Sequence, residues 1–168
     1  MAFELTFEVM GDVQLQRSFS RFTEDIKDFT PALEDIYQDF LEGERKQFES
    51  EGNTGSGGWA PLSPAYAAWK AQNFPGAPIM VRTGLLKESL LGNNPWSVKD
   101  IQPLGATFGT RIPYAAYHQT GTRKMPARPL VQLTEDQKTR WTKIIHRWLV
   151  EKVKQDVGDM ATYHEAME

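Results

Sequence analysis

The stretch Trp96-Ser97-Val98-Lys99-Asp100-Ile101-Gln102-Pro103-Leu104-Gly105-Ala106-Thr107-Phe108-Gly109-Thr110 decides the fold class. Trp96, Val98 and Ile101, then Ala106, Phe108 and Thr110, follow the short pattern of two strands, and Pro103-Leu104-Gly105 between them is turn chemistry. The pattern predicts an antiparallel hairpin. Most of the flanking chain carries a helical period instead, so the expected class is α+β: long amphipathic helices packed on a small antiparallel sheet in a single domain.

Toward the N-terminus, Thr83 stands before Leu85, Leu86, Leu90 and Leu91 as the cap of a short helix. Before it, Ser63-Pro64 reads as a cap and first helical position for a helix through Tyr66 and Trp69, closed by Phe74-Pro75-Gly76-Ala77-Pro78. Residues 49–58, Glu-Ser-Glu-Gly-Asn-Thr-Gly-Ser-Gly-Gly, offer no apolar anchor and predict a mobile loop. Leu33, Ile36, Tyr37, Phe40, Leu41 and Phe48 mark an amphipathic helix, with Thr30 as N-cap and Pro31 in its first turn. An earlier helix is expected from Leu15, Phe19, Phe22, Ile26 and Phe29, and a strand from Phe3, Leu5, Phe7 and Val9.

Toward the C-terminus, Tyr114-Ala115-Ala116-Tyr117-His118 predicts a brief helical turn and Gly121-Thr122-Arg123-Lys124 a loop. Pro126-Ala127-Arg128-Pro129 forces extended backbone leading to an edge strand at 130–133. Thr134 and Gln137 form a capping-box pattern. Behind it Trp141, Ile144, Ile145, Trp148, Leu149 and Val153 recur at helical spacing, a stripe expected in the core or at a subunit interface. Gly158 is the expected end of that helix. The organisation is then one domain over 1–157 with the mobile loop at 49–58, and a C-terminal tail at 158–168.

A chain of 168 residues, 40% hydrophobic and 11% aromatic, has the apolar surface for one core. It contains no Cys, which excludes disulfides and thiolate metal sites. The N-terminus alternates apolar and polar residues, unlike a signal peptide, and no run approaches the length of a membrane span. A cytoplasmically folded chain with no membrane partner is expected.

The net charge of −3 is unevenly distributed. Residues 24–51 hold ten acids against three bases, and residues 82–128 hold seven bases against two acids. Both could be solvated faces; alternatively, patches of opposite sign suit a head-to-tail contact between copies that closes a ring.

Catalytic patterns are missing from the chain. His118, His146 and His164 fall in three different elements without paired-ligand spacing, so no metal site is expected; His118, in a Tyr- and Thr-rich turn, is the better candidate for a specific hydrogen bond, with a structural role favoured. There is no nucleophile elbow, phosphate loop or dinucleotide fingerprint, and the carboxylates of the acidic helix take solvent-type positions. Arg111, Arg123, Lys124 and Arg128, near Tyr114 and Tyr117, form a basic cluster that reads as an interface patch before a nucleic-acid surface.

Four segments recur in a known order: Trp59-Ala60-Pro61-Leu62-Ser63-Pro64; Ile79-Met80-Val81-Arg82-Thr83-Gly84-Leu85-Leu86-Lys87-Glu88-Ser89; Pro113-Tyr114-Ala115-Ala116-Tyr117-His118-Gln119-Thr120-Gly121; and Pro126-Ala127-Arg128-Pro129. The series resembles the phage virion morphogenesis family, including its Mu protein G-like and P2 tail-completion-like groups, over roughly residues 19–153. The resemblance implies a structural virion protein at the head–tail junction, of the tail-completion, neck or terminator kind, with helices on a small antiparallel sheet. It implies a homo-oligomeric ring matching the six-fold tail, neighbouring connector, neck and tail proteins as partners, and passing DNA without specific recognition. The protein would reside in the neck or tail of the virion after assembly in the host cytoplasm. The alternative is a scaffolding-type morphogenesis factor not retained in the particle. Neither role needs an enzymatic activity or a cofactor. The family motif residues, expected at interfaces, are Trp59, Pro61, Leu62, Arg82, Thr83, Gly84, Tyr114, Tyr117, His118, Gly121, Arg123, Lys124, Arg128 and Pro129. Each motif also has a folding role: Thr83-Gly84 starts a helix, Gly121 permits a turn, and Arg128-Pro129 fixes an extended edge. The Gly/Ser insertion before Trp59 departs from the family pattern.

Overall fold

The computed structural model describes residue 20, residues 26–54 and residues 57–165, with side chains to residue 155. The expected strand at 3–9 and most of the expected helix at 15–29 lie outside the described residues, as do 55–56 and 166–168. Within them the elements run α1 (Thr30–Glu49), α2 (Pro64–Asn73), α3 (Leu85–Leu90), β1 (Ser97–Gln102), β2 (Gly105–Thr110), α4 (Ala115–Thr120) and α5 (Glu135–Glu165). The fold is a small single-domain α+β arrangement, with five helices and a two-stranded antiparallel sheet among the described residues.

The hairpin forms where its pattern predicts, with Ser97 opposite Thr110 and Gln102 opposite Gly105, leaving Pro103 and Leu104 as the turn. Helix α1 crosses it: Phe108 on β2 meets the rings of Tyr37 and Phe40 at centroid distances of 5.0 and 5.5 Å. On the opposite side α1 carries α5. Phe29 packs on Trp148 at 4.7 Å, and the Asp39 carboxylate accepts from Arg140 Nε at 2.6 Å and from Trp141 Nε1 at 2.8 Å. Gly43 permits this crossing, since a Cβ there would lie 2.4 Å from Gln137 Nε2.

The buried core comprises Ala32, Ile36, Tyr37 and Phe40 along α1 and a cluster of Phe48, Trp59, Leu86, Leu90, Ile112, Ala115 and Leu130 that joins the end of α1 to α3, α4 and the segments between them. The α5 stripe takes no part in it. Trp141, Ile144, Ile145, Trp148 and Leu149 are half-buried and Val153 is exposed; among the described elements α1 packs against this stripe and covers one narrow strip.

Local signals hold in most places. Ser63 Oγ accepts from the Tyr66 amide at the start of α2, and Thr134 and Gln137 exchange the reciprocal capping-box hydrogen bonds at 3.2 and 3.1 Å. Five expectations are corrected. Thr30 is not the cap of α1: the Asp28 carboxylate accepts from the Thr30 amide at 2.9 Å, so the helix begins one residue earlier with Phe29 at the cap position. Thr83 does not cap α3, whose cap position is Gly84 in a left-handed conformation (φ 84°) that glycine adopts freely. No strand forms at 130–133, since the amides of Leu130 and Val131 donate to Gln119 Oε1 and leave no ladder to build. Gly158 does not end α5, which continues to Glu165; one glycine costs a helix only about 1 kcal/mol. Finally, 50–53 are held by hydrogen-bonded turns. The anchor missing from the local sequence arrives from outside it: Gly52 lies buried beneath the Trp59 indole, and the Trp59 amide donates to the Glu51 carbonyl at 2.7 Å.

Candidate interface groove

Arg128 organises the site. Its side chain is buried, with Nε donating to the Ala60 carbonyl at 2.7 Å and Nη2 to the Pro61 carbonyl at 2.8 Å, while its amide donates to the His118 carbonyl at 2.7 Å. The planar guanidinium suits this fork, and three of the four sequence motifs meet on one residue. Next to it, the Pro129 carbonyl accepts from Trp59 Nε1 at 2.7 Å and from Gln47 Nε2 at 3.0 Å. Trp59 in turn stands edge-on to Phe48 at 5.3 Å. Gly121 (φ 76°) allows the chain to pass close to Ala127, because a Cβ there would lie 2.7 Å from the Ala127 nitrogen.

These contacts frame a groove of about 690 Å³. One wall is Pro61, Leu62, Ser63, Tyr66 and Lys70; the floor is Met80 and Val81, with Arg82 exposed at the rim; the other wall is Tyr114, His118, Lys124, Met125, Pro126 and Arg128. A tight turn in which the Thr122 amide donates to the Met125 carbonyl at 2.8 Å holds Lys124 at the rim. Among the described residues no carboxylate lines the groove. Burial lowers the His118 pKa, with the Arg128 charge adding to the effect, so the ring is held neutral at physiological pH. Its Nδ1 is buried without a hydrogen-bond partner, which corrects the expected side-chain role: the backbone of His118 makes the specific contact. Lys70, also buried, donates its ammonium to the Pro78 carbonyl, and burial lowers its pKa against the opposing pull of Glu51.

Of the expected interface residues, Pro61, Leu62, Arg82, Tyr114, His118, Lys124 and Arg128 line the groove. Trp59, Gly121 and Pro129 support it from behind. Thr83, Gly84, Tyr117 and Arg123 stand outside the lining, with Thr83, Tyr117 and Arg123 exposed. Sequence reasoning missed Tyr66 and Lys70, one turn apart on α2, and Gln119, which pins 130–131 by donating to the Val131 carbonyl at 2.8 Å as well as accepting from both amides.

A second cleft of about 240 Å³ lies between α1 and the start of α5, lined in part by Glu44, Gln132, Gln137 and Arg140. Glu44 corrects the assignment of the helix carboxylates to solvent: it is 3% exposed, and burial pushes its carboxyl pKa up to about 8. The spacing Ile36, Phe40, Glu44, Phe48 carries the signal, one step of four after another on the buried stripe. Several other acids of α1 are engaged within the chain: Glu34 with Lys99, Asp35 with Arg147, Asp39 with Arg140 and Glu42 with Arg45 and Lys46. Among the described residues no group of three His, Asp or Glu side chains could hold a metal, and no helix is long and apolar enough to cross a membrane.

Fold and groove together define a small α+β protein whose motif segments are assembled around one concave, cationic face. A model of the phage virion morphogenesis family matches residues 11–150, and the chain belongs to that family. Comparison with the curated proteins and with the solved structures gives no match. Membership makes this a phage protein of virion structure or assembly.

Proposed function

We propose that the chain is a structural subunit of the phage head–tail junction, a tail-completion, neck or terminator protein that forms a ring joining or finishing the tail. The observation that carries this reading is the convergence of the motif segments, separated by up to about seventy residues in sequence, on one groove whose lining residues are recognition chemistry and not catalytic chemistry. Apolar and aromatic side chains ringed by cations suit a protein contact, and the described lining of the groove supplies no carboxylate for acid–base work. The role of the chain is then its interfaces, with no reaction of its own. Copies closing into a ring, six to match the tail, give each interface its partner by symmetry.

A phage with this gene deleted tests the reading. Electron microscopy of the lysate is expected to show DNA-filled or DNA-leaking heads beside separate tails, some of abnormal length. Missing or misshapen heads would shift the role to capsid assembly, and mass spectrometry of wild-type virions would then find the protein absent. A lysate of complete, infectious particles would overturn both morphogenesis roles.

A further inference from the structure

Charge in the groove is of one sign and, at its rim, uncompensated. Lys70 and Arg128 direct their donors to the backbone carbonyls of Pro78, Ala60 and Pro61. Arg82 and Lys124 make no ion pair among the described residues, whereas Lys99, Arg140 and Arg147 each hold an acid of the same chain. Two uncommitted cations therefore flank a floor that is mostly apolar. A volume of about 690 Å³ falls in the range of concave binding sites, roughly 300–1,000 Å³.

We propose that this groove receives an extended segment of a different partner protein, with apolar side chains filling the space between Leu62, Val81 and Tyr114 and with carboxylates meeting Arg82 and Lys124. Charge complementarity selects an acidic segment, and the apolar floor selects one that also brings side chains to bury; a hydrated phosphate backbone satisfies only the first demand. The acidic helix α1 of a second copy fits less well, because Glu34, Asp35, Asp39 and Glu42 are already paired at home. The inference rests on the junction role for the existence of a neighbouring protein, but it is tested in solution, so either can fail alone.

The test is fluorescence anisotropy of the full chain with a fluorescein-labelled pool of ten-residue peptides in which Glu alternates with Phe, Leu or Val. Binding is expected, weakening with salt and falling about tenfold or more in Arg82→Glu/Lys124→Glu. The variant should keep the wild-type circular dichroism because both side chains are on the exposed rim. Arg111→Glu, an exposed base outside the groove, should bind as wild type. Absence of binding, equal binding of a pool with Lys in place of Glu, or an unaffected double variant would overturn the proposal. Binding of a twenty-base-pair DNA duplex that the same double variant abolishes would reassign the groove to nucleic acid. A change of oligomer size in that variant, seen by light scattering, would reassign it to a second copy.

Discussion

Arg128 and Glu44 are both charged side chains about as buried as the core, at 5% and 3% exposure, yet they sit in opposite circumstances. Arg128, in the motif platform, has two carbonyls placed for its fork. Glu44, in the seam between α1 and α5, has a buried Oε2 without a partner, and Gln132 Oε1 across the same cleft also lacks one. A buried charge is tolerated when its hydrogen bonds are made and is expelled into its neutral form when they are not. The platform is therefore built to hold one geometry, while the seam is held by pairs at its margin, Asp39 with Arg140 and Asp35 with Arg147.

Breaking the platform should cost most. Arg128→Ala strands two carbonyls and is expected to lower the unfolding free energy by about 3 kcal/mol, with Arg128→Lys recovering only part because an ammonium cannot match the fork. Denaturant unfolding measures both. A loss within experimental error for the alanine variant would mean that the fork contributes nothing to the fold.

At the seam the effect depends on pH. Below the ordinary glutamate value of 4.5 Glu44 is protonated whether the chain is folded or not. Between 4.5 and about 8 only the unfolded chain ionises, so stability falls as pH rises through this window and levels off above it. Glu44→Gln should remove that slope and be the more stable protein at pH 8. Parallel profiles for the two proteins in thermal unfolding would show Glu44 to be solvated.

The smallest effect belongs to the seam's margin. Asp39→Asn weakens the contacts to Arg140 and Trp141, which are partly solvated, and should cost about 1 kcal/mol. Hydrogen exchange should quicken in the first turns of α5 and stay unchanged in α3 and α4. Equal quickening in both halves would dissolve the distinction between platform and seam.

Much of the fold was legible because it is written locally. The hairpin, the Ser63 cap and the Thr134–Gln137 box depend on residues a few positions apart, and all three form as the pattern predicts. The motif residues were legible as a set through their order along the chain, but their division into groove lining and support was not. Where local signals met a distant competitor they failed: 130–133 has the composition of an edge strand, and Gln119 took its amides.

The sequence alone determined the α+β class, the position of the hairpin, the start of α5 and membership of the phage family. Tertiary structure decided which charged residues are buried and which stripe joins the core. The carbonyls that hold Arg128 lie 67 and 68 residues from it, and no local spacing announces them. The α5 stripe recurs at helical spacing as that of α1 does, yet such spacing says only that one face is apolar. Whether that face is covered depends on how many elements reach it, and among the described residues α5 is covered in a strip against α1.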